Sequence, residues 1–337
     1  MMTRSLGIRG PLVSAIGLGC EGMSNASGEA YEEISIATIH AAIESGITLL
    51  DTADFYGMGH NEMLLGSALR GRTREQVVMS DKFGGLRGPE GRFLGIDGRP
   101  ASVKNFLAYT LRRLGTDYVD IYRLARLDPD VPIEETIGAI ADMVKAGHVR
   151  FIGLSEVGSD TIRRAQAVHP ISDLQIEYSL FSRGIEADIL PTCRELGIGI
   201  TAYGVLAHGL LSGHWSKERT NAPGDFRSIS PRFNGANLDH NLALVEALRS
   251  IAEAKGATIS QLAIAWVLTR GQDIVPLVGA RRRESLGESL KALDLRLSAD
   301  DLAQIEQAIP KGAAAGERYP VPLMALLDSE RGREQNQ

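Results

Sequence analysis

The chain has 337 residues, 44 % of them hydrophobic and 23 % charged, with a net charge of −6 at pH 7. That length suits one large domain or two ordinary ones, and a (β/α)8 barrel needs about 250 residues. The acidic balance, without a long basic run, excludes nucleic acid and anionic membranes as main partners, and no apolar run approaches the roughly 20 residues of a membrane span.

Two cysteines, Cys20 and Cys193, lack metal-type spacing and imply a reducing compartment without a disulfide framework. The start, M-M-T-R-S-L-G, lacks the apolar core of a signal peptide, so the expected location is cytoplasmic.

Two short apolar runs around Gly10-Pro11 predict an N-terminal hairpin leading into a first strand over 15–18. A helix over 31–45 follows, with Ile36, Ile39, Ala42 and Ile43 at helical spacing and Gly46 as its C-cap. Next come a strand over 48–50, a helix over about 61–70 closed by Gly71, and a strand over 77–80. A helix over 102–114 ends at Gly115 and precedes a strand over 118–124. A helix over 133–146 ends at Gly147 before a strand over 151–154, and a helix over 159–168 is capped by Ser159. Then follow a strand over 173–176, a helix over 185–196 and a strand over 199–203. After a glycine-rich segment to about 238, helices over 238–255 and 259–269, a strand over 274–278 and a helix over 283–293 complete the pattern.

Short apolar strands separated by helical segments read as βαβ units with a parallel sheet. Eight such units predict an α/β fold, a single (β/α)8 TIM barrel with an N-terminal hairpin and extra C-terminal helices and loops. The whole chain, 1–337, is expected to form one domain with its core over about 6–310. The remainder, 311–337, is read as a lid containing Glu317, Arg318, Tyr319 and Pro320, then a frayed charged tail over 329–337.

Gly17 to Gly22 formally spell G-x-G-x-x-G after a strand. A Rossmann turn requires the third glycine to open a helix, with an acidic residue about 20 positions on that ends a second strand. Here Met23 to Gly28 have a loop composition and Glu44 falls in a helix, so the run is a flexible loop at a strand end.

The chemistry gathers in T-L-L-D-T-A-D-F-Y-G, residues 48–57. Barrel enzymes place their sites at the C-terminal ends of the strands. Asp51 and Tyr56 sit in the loop after the second strand, and Lys82 follows the third. Singly, they read as a turn cap, a core aromatic and a solvated cation. Together they suit a proton relay: an ammonium stabilises a phenolate and lowers its pKa from about 10, and a carboxylate fixes the ammonium. Four histidines, His60, His148, His208 and His214, have no metal-ligand spacing, and no metal site is expected. Cys20 is read as core or loop packing.

The stretch D-T-A-D-F-Y-G-M-G-H-N-E-M-L-L-G resembles the signature of the aldo-keto reductases. So do L-R-R-L-G-T-D-Y-V-D-I-Y, G-L-S-E-V, Q-I-E-Y-S-L-F-S and V-P-L-V-G-A-R, in family order over about 6–293. The resemblance implies a TIM barrel that binds NADPH extended, and reversible reduction of a small-molecule carbonyl. It implies Tyr56 as the general acid, Lys82 lowering its pKa and Asp51 supporting Lys82. One departure stands out. The family usually carries a histidine after the fourth strand, in a context like L-H-R, and here that position is Ala125. Losing one such donor costs about 3 kcal/mol of transition-state stabilisation in another enzyme. Arg123, Arg126 or a water is expected to replace it, or Ala125 makes room for a bulkier substrate. With Tyr319, Ala125 and Arg126 are the expected substrate-binding positions.

The resemblance also implies the NADPH contacts. Ser155 and Gln175 match the pair that bonds the nicotinamide carboxamide, and Tyr203 the ring that stacks on nicotinamide. The loop over 206–213, with Leu206, Gly209, Leu210 and Gly213, matches the pyrophosphate cover, where glycines let backbone amides face phosphate. Gly279 and Arg281 open the last strand–helix turn, where arginines suit the 2′-phosphate. Glu288 and Ser289 occupy the adenine-contact positions, with serine in place of the more usual asparagine. The run A-R-L-D-P-D-V-P-I-E-E is similar to the subgroup containing pyridoxal reductases. The alternatives are therefore a pyridoxal reductase and, in a different class, an NADPH-sensing binding subunit like those of potassium channels. A homo-oligomer is compatible with the sequence.

Overall fold

The structure, a computed structural model, describes residues 1–24, 29–72, 74–218 and 225–331. Its strands are β1 (Thr3–Ser5), β2 (Leu12–Ser14), β3 (Gly17–Gly19), β4 (Leu49–Ala53), β5 (Val78–Phe83), β6 (Gly85–Arg87), β7 (Phe93–Ile96), β8 (Val119–Leu124), β9 (Val149–Ser155), β10 (Ile171–Glu177), β11 (Gly199–Tyr203) and β12 (Ile274–Gly279). Its α-helices are α1 (Glu29–Glu44), α2 (His60–Leu69), α3 (Pro100–Leu114), α4 (Ile133–Lys145), α5 (Ser159–Val168), α6 (Ile189–Leu196), α7 (Gly235–Ala247), α8 (Arg249–Ala254), α9 (Ile259–Thr269), α10 (Arg283–Leu290), α11 (Ala299–Ala308) and α12 (Val321–Met324). Strands β3, β4, β5, β8, β9, β10, β11 and β12 pair in parallel and close into an eight-stranded barrel. This is the expected (β/α)8 architecture.

Two apolar layers hold it. The larger lies between the strands and the surrounding helices and includes Leu18, Leu50, Ile152, Leu174, Ile200 and Val278. The smaller fills the barrel floor with Leu49, Ile121, Val275 and Leu277, sealed by Leu6 and Val13 of the N-terminal hairpin. Helix α9 is buried almost all round, and a capping box between Thr258 and Gln261 satisfies its first turn.

Several boundaries differ from the sequence reading, each for a physical reason. Strands β4 and β5 run through Asp51, Asp81 and Lys82 rather than stopping before them. Asp51 and Lys82 neutralise each other inside the barrel, so charge does not end the strand. Strand β3 starts at Gly17, not residue 15, and is followed by a 3-10 turn, Glu21–Ser24; residues 25–28 of the expected loop lie outside the described residues. Ser159 is not a cap: Gly158 holds that position, and the Ser159 hydroxyl donates to Asp188. The helix expected from residue 185 starts at Ile189, after a 3-10 turn over Gly184–Glu186. The helix expected over 238–255 divides into α7 and α8 at Leu248. The hairpin of β6 and β7 was not anticipated, because its strands are short and its faces half-exposed. The tail is not frayed at its start: Ser329 is buried, and Glu330 pairs with Arg318. Residues 332–337 lie outside the described residues.

Candidate active site

The site sits where β4, β5, β8, β9, β10 and β11 end. Asp51 lies inside β4, opposite Ser80 of β5, and Lys82 is opposite Ala53. Both side chains point into the barrel and are buried. The Lys82 ammonium donates to Asp51 Oδ1 at 2.6 Å and to the Thr52 carbonyl at 2.8 Å. Asp51 Oδ2 accepts from Ser80 Oγ at 2.9 Å and from Gln175 Nε2 at 2.7 Å. The pair is thus charge-balanced and saturated with donors, the condition under which a buried ion pair is tolerated.

Tyr56 opens a 3-10 turn, Tyr56–Gly59. Gly57, Met58 and Gly59 all have positive φ, at 57°, 54° and 92°. This tight reversal carries the tyrosine over the barrel mouth, where its ring centroid is 5.1 Å from Lys82 Nζ. Phe55 packs edge-on against it, at 5.1 Å between centroids. The ring remains partly accessible while protein surrounds it, as befits the floor of a cleft.

Burial, then Glu21 and Asp51, pushes the Tyr56 phenol well above its ordinary value, and Arg126 is the cation that opposes them. Lys82 is itself bonded to Asp51 and the Thr52 carbonyl. Tyr56 therefore holds its proton throughout the neutral range.

Ser155 and Gln175 are side-by-side partners of the β9–β10 pairing. With its amide nitrogen on Asp51, Gln175 leaves its amide oxygen without a partner among the described residues, and Ser155 is its register neighbour. Such a donor–acceptor pair matches a carboxamide. Tyr203, at the end of β11, donates to Glu156 at 2.7 Å and meets the Tyr319 hydroxyl at 3.0 Å. Tyr319 thereby reaches the site from the C-terminal segment.

The loop after β11 forms an irregular 3-10 turn, Ala207–Ser212, following Leu206. Ala207 and His208, though not glycines, have positive φ of 47° and 55°, and Gly209 and Gly213 follow at 103° and 74°. The Ala207, Gly209 and Leu211 amides are bonded within the loop, to the Gly204 and Leu206 carbonyls, so any anion would meet the remaining amides of the turn. His208 Nε2 is buried here without a hydrogen-bond partner among the described residues. Leu210 is buried beneath the loop. Across the mouth, a Cβ added to Gly279 would meet nothing within 4 Å, and Arg281 is exposed beside Gly22. These features fit a bound dinucleotide phosphate. Ser289 does not: it is buried and donates to the Ser285 carbonyl of its own helix at 3.0 Å. Glu288 accepts from Thr258 at 2.9 Å.

Of the candidates to replace the missing histidine, Arg123 is out of reach. It is fully buried in the barrel, bonded to Asp173, Ser80 and the Leu154 carbonyl. Ala125 is buried, and Arg126 lines the cleft.

The sequence reading passed over a second cluster. Glu156 and Glu177, after β9 and at the end of β10, are buried and both bond to Arg318. Ser329 and Glu330 join from the tail, and Arg232 bonds to Glu177 and Ser182. Glu156 has φ of 51°, strained for a non-glycine residue. A carboxylate immediately after each buried strand, with an arginine beside Tyr319, was the available signal.

A family model described as the Aldo/keto reductase family matches residues 15–310. The chain is similar to a protein named "Probable aldo-keto reductase 1" from Glycine max, 43 % identical over 317 residues, which make up 93 % of this chain and 90 % of that one. Among solved structures it is similar to the glycerol dehydrogenase AKR11B4 from Gluconobacter oxydans, with a TM-score of 0.84 and 28 % identity over 94 % of this chain and 97 % of that one. It is also similar to an aldo-keto reductase from Klebsiella pneumoniae in complex with NADPH, with a TM-score of 0.74 and 27 % identity over 94 % of this chain and all of that one.

Proposed function

The chain belongs to the aldo/keto reductase family, and on that premise we propose that it reduces an aldehyde or ketone to the alcohol with NADPH, Tyr56 giving the proton. The observation that carries this reading is a protonated phenol over a buried, saturated Asp51–Lys82 pair at the barrel mouth. When bound, NADPH supplies the hydride. Ser155 and Gln175 would hold its carboxamide. The turn over 206–213 would lie against its pyrophosphate, and Gly279 and Arg281 would take the adenosine end with its 2′-phosphate.

In this reading the carbonyl oxygen lies against the Tyr56 hydroxyl. As charge develops on that oxygen, the phenol donates its proton. Lys82 sits 5.1 Å from the ring and is held by Asp51, so its positive charge stabilises the phenolate left behind without moving. Asp51 acts through Lys82 and Gln175, as a positioning residue for both.

The test is NADPH oxidation with an aldehyde panel that includes pyridoxal. A well-positioned general acid contributes about 10²- to 10⁴-fold, so Tyr56→Phe should lower kcat by that order. NADPH binding, followed by fluorescence, should persist. A Tyr56→Phe enzyme that keeps its rate would remove the proton-donor assignment.

A further inference from the structure

Ala125 and Arg126 follow β8 at the barrel mouth, beside Ser155 of β9. The Ala125 amide donates to the Phe83 carbonyl at 2.8 Å, and its small side chain is buried. The next residue is a cation. Arg126 Nη1 donates to the Ala125 carbonyl at 2.7 Å and reaches Ser155 Oγ at 3.4 Å. Its Nε and Nη2 edge bonds to no described residue, and among the described residues it has no ion-pair partner.

Of the buried arginines, Arg4 is satisfied by the carbonyls of Leu268, Gly271 and Ile274, and four others hold a carboxylate. Arg123 is paired with Asp173, Arg183 with Glu186, Arg232 with Glu177 and Arg318 with Glu156. Glu156, which is close to Arg126, is committed to Arg318, Tyr203 and Ser329. Tyr56, Tyr203 and Tyr319 all lie within the field of Arg126, so its charge faces the same cleft as the proton donor.

The buried Glu156 carboxylate offsets the charge of Arg126 only through space, because its oxygens are bonded to Arg318, Tyr203 and Ser329. The free Nε–Nη2 edge has the planar two-donor geometry that matches a carboxylate. A carbonyl oxygen would use only one of those donors. We propose that Arg126 selects substrates carrying a carboxylate near the reacting carbonyl, gripping it through the Nε–Nη2 edge while the carbonyl turns to Tyr56. This rests on the carbonyl-reductase reading above and gives that site its substrate class.

The experiment compares 3- and 4-carboxybenzaldehyde with their methyl esters, in the wild-type enzyme and in Arg126→Gln and Arg126→Lys. Wild type should favour the acids. In Arg126→Gln the acid-to-ester ratio of kcat/KM should fall roughly 10- to 100-fold, as for a lost charge-assisted pair, mainly through KM. Arg126→Lys should keep part of it. A wild type that prefers the esters, or a ratio unmoved in Arg126→Gln, overturns the proposal. Binding of benzoate to the enzyme–NADPH complex separates this from the parent reading. Benzoate binding that weakens in Arg126→Gln supports the carboxylate grip even where no aldehyde turns over, and in that case only the reductase reading falls. Benzoate binding indifferent to the substitution overturns the grip whatever the turnover.

Discussion

Asp51 does three things with two oxygens: it neutralises Lys82, accepts from Ser80 and orients Gln175. Its role beside Lys82 was legible in the sequence, since an acid and a lysine interrupt two consecutive apolar strands. Its bond to Gln175 was not, because the two residues are 124 positions apart and meet only when the barrel closes. The Tyr56 shift makes a pH prediction. A phenol pushed up by burial stays protonated through neutral pH and beyond, and protonated is the form that donates. Carbonyl reduction should therefore show no alkaline fall attributable to Tyr56 below about pH 10, the ordinary tyrosine value. A kcat profile falling between pH 7 and 9 in wild type but not in Tyr56→Phe would contradict this. Nearby, Asp54 is the opposite of a stabilising acid. Burial first, and then Glu62, raises its carboxyl to about 7, and one oxygen has no hydrogen-bond partner among the described residues. The folded state thus binds a proton that the unfolded chain has already lost, so stability declines as pH rises from about 4 to 7. Asp54→Asn should stabilise the protein by on the order of 2–4 kcal/mol above pH 7 and scarcely at pH 4. Thermal unfolding at the two pH values measures it; an equal effect at both would assign the change to packing.

The segment after α11 works as a strap whose hold is electrostatic. Arg318 joins Glu156 after β9, Glu177 of β10 and Glu330 of the tail, and Tyr319 beside it reaches Tyr203. Burial raises both carboxyls, but Arg318 with the neighbouring cations and hydrogen bonds, Arg126 and Tyr203 at Glu156 and Arg232 and Ser182 at Glu177, outweighs it, and both lie below the ordinary carboxylate range. Depressed folded-state values contribute stability that is present above the unfolded value of about 4.3 and lost as pH falls through and below it. Arg318→Gln removes the cation and leaves two buried carboxylates facing each other. Breaking one partner out of such a cluster costs about 3–5 kcal/mol. The loss should be larger at pH 7, where the carboxylates ionise with Arg232 alone left on Glu177, than near pH 4, where protonation relieves them. Calorimetry at both values reads the difference, and a deficit independent of pH would mean that Arg318 contributes packing alone. At this scale the sequence was partly legible. Helical periodicity and C-terminal glycines located the barrel helices, and Gly115, with φ of 67°, ends α3 as its position implied. Strand ends were misplaced wherever buried charges continue the strand, as in β4 and β5. The strap's order was hidden for the same reason: 329–331 read as polar, and polarity resembles fraying until its partners are known.

At the scale of the whole molecule, eight apolar strands at helical spacing already imply closure, yet the interior of the closed barrel is not all apolar. Arg123 of β8 lies on the axis and bonds to Asp173 of β10, to Ser80 of β5 and to the Leu154 carbonyl of β9, while Thr201 of β11 also donates to Asp173. Five of the eight strands thus meet in one buried network. Ser80 links it directly to Asp51, and so to the active site. Gly153 makes space for it: a Cβ there would come within 2.9 Å of the Arg123 guanidinium carbon. Arg123→Met should cost about 3–5 kcal/mol, because Asp173 would be left as an unpaired buried charge. The double variant Arg123→Met with Asp173→Leu removes both charges, and buried pairs replaced by apolar groups of similar volume are often neutral in stability. Most of the single-variant loss should therefore return in the double. Denaturant unfolding of wild type, both singles and the double gives the coupling directly. If the double is no more stable than Arg123→Met, the network holds the barrel by shape and hydrogen-bond geometry rather than by balancing one charge with another. In that case the double variant should also lose Asp51 positioning through Ser80, seen as a fall in kcat at unchanged NADPH affinity.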